Sequence, residues 1–533
     1  MRCFRSRPAG TLLSSRLGQA PHPLLWLARR SAHSQRPPST PLPSTIVANY
    51  WDDVIRYSKD PNTYTMSDGT HEYSEKNAQF VRRLLSGSIR TRRESGDIMP
   101  ALVTRQCCEF YESCNPHGKS EFLKVLAKDF GVDRAETISA ARKYLEAEQG
   151  SKSSSVLHRR VESALRSSLA PLYDSFFTKV HRLPGGMRFL VNLRKDLVNL
   201  ISEDSTHSLN HELRAMSEYL REKFQAWFDT ETMDLKRITW NSEASVLEKV
   251  VEYEAVHPIP DWKALKQRLG PGRLCYGFFH SGLPLTPLTF IEIALVDKVS
   301  NNIHDIIEST PTINDEKQAN TAIFYSITSS QKGLTGVELG NFLIKRVVKE
   351  LQRDYPQITT FCTLSPVPGF RPWLETQMNL VEDRARSKPL FLAQEVHSLC
   401  TIRDKSDANA AQVLRELTSD DAWMHVPASR NLLEPILLRL CAKYILTEKK
   451  RMFCFDPVAN FHIRNGASVA RINWQADRSD KGIRQSYGMM VNYQYLLDQV
   501  EENNKHYLMD GSIHMVDPLE PTLWLGEQPP PHL

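Results

Sequence analysis

The sequence predicts an α+β protein, a helical bundle followed by an α/β domain that contains a parallel strand pair. Three observations carry this. Apolar residues recur at helical spacing from Tyr50 to about Met233, short apolar runs bounded by Gly and Pro replace them beyond Leu235, and residues 321–364 read as one strand–helix–strand unit. A chain of 533 residues with 41% apolar and 24% charged residues has the usage of a globular protein, which argues against fibrous and wholly disordered classes. No window approaches the roughly 18 continuous apolar residues of a membrane helix, so no membrane partner is expected.

The first segment, 1–45, is set apart by charge. Residues 1–50 hold seven Arg and no Lys, Asp or Glu, among many Ser and Pro, the composition of a mitochondrial transit peptide. Removing them from the net charge of +5 leaves 60 basic against 62 acidic residues, so no excess charge points to nucleic acid. The second segment, 46–234, is the helical one. Asp133 and Glu136 form a capping box opening a helix towards Gln149, and Gly150–Ser155 read as a flexible break. Leu157, Val161, Leu165 and Leu169 then form one stripe. Met187, Leu190, Val191, Leu197, Val198 and Ile201 form another, and Leu213, Met216, Leu220, Phe224, Trp227 and Phe228 a third.

The third segment, 235–533, brings strands at Leu274–His280, Leu288–Val296 and Thr321–Thr328, a helix from about Gly336 to Tyr355, and a further run at Ile358–Leu364. Residues 374–450 return to helix, with Pro435 expected in a first turn or at a kink of Leu432–Leu446. From Phe453 to Asn492 β character returns, in Phe461–Ile463 and Ala467–Trp474. Nine scattered Cys without a CxxC pair favour neither a disulfide framework nor a zinc site, and no other metal site is expected.

Three places in this last segment could carry chemistry. SSQKGLTGVELG at 329–340 delivers Gly-rich backbone from a strand to a helix, a setting for a phosphate on unpaired amides and equally for a structural turn. It fits neither phosphate-loop nor dinucleotide fingerprint. Ser365, in CTLSPVPGF, lies at the carboxyl end of the next strand, where ligands of open α/β sheets tend to sit, although a Ser before Pro also forms turns. His462, in DPVANFHIRNGA, reads as a satisfied core histidine or as a proton carrier near neutral pH. The pairs His71–Glu72 and His211–Glu212 lack the second His of a zinc protease helix.

Together, TAIFYSITSSQKGLTGVELGNFLIKRVVKE at 321–350, TLSPVPGF at 363–370, DPVANFHIRNGA at 456–467 and RINW at 471–474 resemble malonyl-CoA decarboxylase. The resemblance extends back through GGMRFLVNLRKDL at 185–197, KRITW at 236–240 and VHPIPDW at 256–262, and so covers roughly 150–500. It implies a helical oligomerisation domain over 46–234, a homo-oligomer such as a tetramer, and a GNAT-type acyl-CoA-binding domain over 235–533. It further implies conversion of malonyl-CoA to acetyl-CoA and CO2 in fatty-acid metabolism without a cofactor. In such domains acyl-CoA lies between two splayed parallel strands, so the cradle carries over to Thr335, Gly336, Val337, Glu338, Leu339, Gly340 and Asn341. The family's catalytic residues match Ser365, His462, Glu338 and Tyr495, with Tyr493 two residues from the last. Decarboxylation needs a proton for the α-carbon, so His462 is expected to donate it to the nascent acetyl-CoA and Ser365 to orient the malonyl carboxylate, the family describing Ser365 as the proton-accepting partner, while Glu338 holds the His or Ser through a hydrogen bond. Asp456 stands where relatives often carry Asn, and Glu292 in an apolar strand has no assigned role. The chain ends PPPHL rather than in the S-K-L address of some relatives, so the expected location is the mitochondrial matrix, with a cytoplasmic pool conceivable and no support for the peroxisome. Two other classes fit the same scaffold, an acyl-CoA N-acyltransferase and a non-catalytic acyl-CoA-binding protein.

Overall fold

Asn115 opens the helix Pro116–Asp129 by accepting the Gly118 N–H on its side chain, and Asp133 opens the next by accepting those of Ala135 and Glu136. Both caps are seen in the computed structural model, which describes residues 75–90, 98–149, 155–203, 210–228, 232–337, 339–382, 390–402 and 409–516. The expected transit segment over 1–45, Gly150 to Ser154, Glu338 and the last seventeen residues lie outside the described ones.

Through Trp227 the described chain is helical. The helices used below are α1, Gly186–Glu203, and α2, Asn210–Trp227, and their expected stripes bury Met187, Leu190, Val191, Leu197, Leu213, Met216, Leu220 and Phe224. The stripe on Ser155–Ser168 does not follow suit: Val156, Leu157 and Leu169 stay exposed, as do Ile138 and Leu145 on the preceding helix.

Strands begin at Met233. They are β1 Met233–Ile238, β2 Arg273–His280, β3 Thr289–Val296, β4 Thr321–Ser329, β5 Thr360–Thr363, β6 Ser365–Pro366, β7 Lys449–Lys450, β8 Phe453–Cys454, β9 Ser468–Asn473 and β10 Met490–Gln494. The main sheet runs β1-β2-β3-β4-β5-β10-β6, with β9 on the free side of β10. β1 to β4 are antiparallel neighbours, and β4 and β5 form the expected parallel pair, joined by helix α3, Gly340–Asp354. The pairing runs from Thr321 opposite Thr360 to Phe324 opposite Thr363 and stops there. Beyond it β4 stays with β3, while Ser365 and Pro366 turn to pair with Val491 and Met490. The two parallel strands therefore splay.

Four expectations need correction. The crossover helix starts at Gly340 rather than Gly336, because Lys332–Leu334 form a 3-10 turn and Gly336 takes a φ of 81°. Phe461–Ile463 are not strand but lie in α5, Pro457–Arg464, where Asp456 caps and Pro457 occupies the first turn. Of the two settings expected for Pro435, the first turn is excluded, because it lies inside a longer helix, α4, Pro427–Leu446, whose first turn holds Pro427. β1 was not foreseen as a strand, and β10 closes the β-rich stretch expected over 453–492 without having been singled out in it. Glu292 now has an account: it is fully buried at a register shift of β3 against β4 and pairs with Arg268 at 2.9 Å. Burial and the neighbouring Glu254 push its carboxyl up to about 7, against the pull of Arg268.

Residues from Ala78 onward make one compact unit. Eight cysteines are described, all free, and burial holds six of them out of solvent. No helix among the described residues is long and apolar enough to cross a membrane.

Candidate active site

Splaying β4 from β5 opens a cavity of about 430 Å³ between the carboxyl half of β4, the loop after it, β6 and α5. Phe324, Ile327, Val337, Pro366, Val458 and Phe461 make most of its wall apolar, and Ser365, His462, Asn460 and Arg464 supply polar groups. This is the size and character of a small-molecule site.

His462 reaches this wall because of its helix start. Asp456 is fully buried, accepts the N–H groups of Val458 and Ala459 on Oδ1, and takes the Tyr444 hydroxyl on Oδ2 at 3.2 Å. Burial raises its carboxyl, and the hydrogen bonds oppose that rise. Two turns on, the imidazole is 3% exposed, with Tyr493 stacked on its face at 4.9 Å and 21°. Its Nε2 lies 3.0 Å from Ser365 Oγ and its Nδ1 2.9 Å from the Tyr495 hydroxyl.

The remaining partners fix the direction of this chain. Ser365 Oγ donates to Thr363 Oγ1 at 2.9 Å, and Thr363 Oγ1 also receives the Tyr493 N–H at 3.0 Å. With the serine proton committed to Thr363, Nε2 carries the ring proton and donates to Ser365, and Nδ1 accepts from Tyr495. Desolvation lowers the imidazole to about 3 and raises the Tyr495 phenol well above its ordinary value, so both groups are neutral at neutral pH.

The structure thus brings Ser365, His462 and Tyr495 into one hydrogen-bonded chain and separates the two tyrosines by role, Tyr495 as hydrogen-bond partner and Tyr493 as stacking partner. Gly336 and Val337 line the same cavity. Thr335 is exposed and Leu339 buried, both outside the lining, and Gly340 starts α3. Asn341 stands in the first turn of α3, its side chain outside what is described, and Glu338 lies outside the described residues altogether. Thr363 and Asn460 were missed, although Thr363 sits two residues before Ser365. The Tyr507 hydroxyl donates to Asn460 Oδ1 at 2.8 Å, and Asn460 lines the cavity. Among the described residues no group of three His, Cys, Asp or Glu side chains is placed to hold a metal ion.

Comparison with known proteins agrees along nearly all of this architecture. The family model for the malonyl-CoA decarboxylase C-terminal domain matches residues 232–528, and that for the N-terminal domain matches 130–228. The mitochondrial malonyl-CoA decarboxylase of Anser anser anser is 38% identical over 450 residues, 83% of this chain and 88% of the relative. That of Mus musculus is 38% identical over 420 residues, 78% of this chain and 84% of its own. The crystal structure of malonyl-CoA decarboxylase from Rhodopseudomonas palustris superposes with a TM-score of 0.71 at 32% identity, covering 83% of this chain and 98% of that one. Its counterpart from Agrobacterium vitis gives a TM-score of 0.70 at 30% identity, covering 85% and 100%. With both family models matched in order and relatives aligned over most of their length, the chain belongs to the malonyl-CoA decarboxylase family of carboxy-lyases.

Proposed function

We propose that the chain converts malonyl-CoA to acetyl-CoA and CO2 in the cavity between β4 and β6, with acyl-CoA bound as in GNAT-type domains. The observation that carries the reading is the Tyr495–His462–Ser365 chain ending on the wall of a cavity that a splayed parallel pair opens. The thioester enters beside Ser365, and its diphosphate lies along the loop at Thr335–Asn341. Breaking the bond to the carboxylate releases CO2 and leaves the electron pair as an enolate on the thioester oxygen, with no net redox change. The mostly apolar wall strips water from the carboxylate, whose localised charge loses more than the delocalised charge of the enolate. When substrate binds, Ser365 turns its proton from Thr363 to the carboxylate and so orients it, and the Asn460 amide is the neutral donor for the enolate oxygen. The enolate carbon, far more basic than imidazole, takes the Nε2 proton of His462 while Nδ1 takes the Tyr495 proton, so the ring never carries charge. One proton per turnover is then restored from water. Glu338 is proposed to support His462 or Ser365.

The test is CO2 release from malonyl-CoA. His462→Ala should lower kcat at least ~10²-fold with little change in malonyl-CoA affinity, and retention of more than about a third of kcat would remove His462 from the chemistry. Two further readings belong here. Exposed Ile138, Leu145, Val156 and Leu157 support a homo-oligomer, such as a tetramer, formed through the helical region. Light scattering on Leu145→Glu/Leu157→Glu should show a smaller particle. Mitochondrial residence is supported by the names of the relatives and by the Arg-rich first 45 residues. Replacing Arg2, Arg5, Arg7 and Arg16 with Gln should abolish import into isolated mitochondria.

A further inference from the structure

Arg194, on α1, is 4% exposed. Its Nε donates to the Ser217 carbonyl of α2 at 3.1 Å, and its Nη1 donates to the carbonyls of Gly333 at 2.6 Å and Thr335 at 2.9 Å. No carboxylate lies within ion-pair distance of it among the described residues, and burial lowers it only to about 10, so it stays a cation. A cation taken out of water and spent on backbone carbonyls is costly unless what it holds has a use.

What it holds is a peptide orientation. Peptide groups are planar and trans, so a carbonyl and the next residue's N–H point in opposite directions. Tying the Thr335 carbonyl to Arg194 turns the Gly336 N–H to the other side of the loop. Gly336 lines the cavity, and among the described residues its N–H donates to no acceptor. The loop is pressed on α1 closely enough that a Cβ on Gly333 would stand 1.9 Å from the Val191 carbonyl oxygen, so the helical region sets the position of this segment.

We propose that Arg194 is a positioning residue for the substrate, fixing the Thr335–Gly336 peptide so that the Gly336 N–H is presented to a phosphate oxygen of the CoA diphosphate. The helical region is then part of the substrate site. This rests on the reading that acyl-CoA occupies the cavity.

In the full-length protein Arg194→Met should weaken CoA binding and raise the KM for malonyl-CoA at least ~10-fold, leave kcat within about threefold, and leave kcat/KM unchanged for a malonyl thioester lacking the nucleotide. Arg194→Lys should fall between. Unchanged CoA affinity, or equal loss with the short thioester, would overturn the assignment. Should Arg194→Met not fold, amide exchange on the unmodified protein decides. CoA should slow exchange across 333–337. Protection of 324–329 and 457–464 without 333–337 would sink the role of Arg194 and leave the cavity reading standing, whereas no protection of any of these segments would sink the cavity reading itself.

Discussion

Burial keeps the His462 imidazole neutral down to about pH 3, so turnover should not follow the ordinary titration of a histidine. Between about pH 5 and 8 the kcat profile should show no inflection that His462→Asn abolishes. An inflection near 6.5 lost in that variant would mean that the ring works as a cation. Because Ser365 and His462 share one hydrogen bond, their losses should not multiply. Each single Ala variant should lose ~10² to 10⁴ in kcat, and the double variant should be within ~10-fold of the worse single, measured as CO2 release. Multiplicative losses would place the two residues in different steps.

At the scale of elements, Asp456 is where one side chain decides the position of another. Asp456→Ala removes the cap of α5, costing about 1 kcal/mol, and strands the buried Tyr444 hydroxyl, so both melting temperature and kcat should fall. Asp456→Asn keeps an acceptor for Val458 and Ala459 and should fall much less. An Ala variant with wild-type kcat would show that His462 does not depend on this cap. The two loop glycines should separate in a similar way. Gly333→Ala drives a Cβ into the Val191 carbonyl and should lower the melting temperature, whereas Gly336→Val strains a φ of 81° at the cavity and should weaken CoA binding first. Calorimetry and CoA titration would tell them apart, and intact CoA affinity in Gly336→Val would make the loop a structural turn only. Much of this was legible: β2 to β5 are short apolar runs with punctuated ends, and the crossover between β4 and β5 follows from their spacing. α5 was misread because eight residues are too few for a helical period to show, and the stronger signal was the Asp-Pro start. β1 was missed because it is exposed at its centre, and β10 was not singled out within its β-rich stretch because it carries Asn492 into the core. Ser365 and His462 came from motifs, but Arg194 could not, since its partners at Gly333 and Thr335 lie about 140 residues away.

Across the whole molecule, acid should act through buried neutral histidines. Desolvation lowers His462 to about 3 and His257 to about 4, from an unfolded value of 6.5. The unfolded chain therefore binds protons that the folded chain refuses, so stability is full above 6.5 and falls as pH drops towards 4 and 3. The melting temperature of His462→Asn should fall less steeply than that of the unmodified protein over that window, and parallel curves would contradict the burial of a neutral ring.

Burial of the cysteines has a chemical consequence as well. Cys362 is fully buried in β5, three residues before Ser365, and desolvation pushes its thiol up to about 12; Cys107, in the helical region, is held equally high. Thiolate is the reactive form, so neither sulfur offers a nucleophile to an alkylating agent or a peroxide while the surrounding packing is intact. Alkylation at Cys362 accordingly measures how often the sheet opens, and its rate, followed with and without CoA, would serve as a clock for that opening.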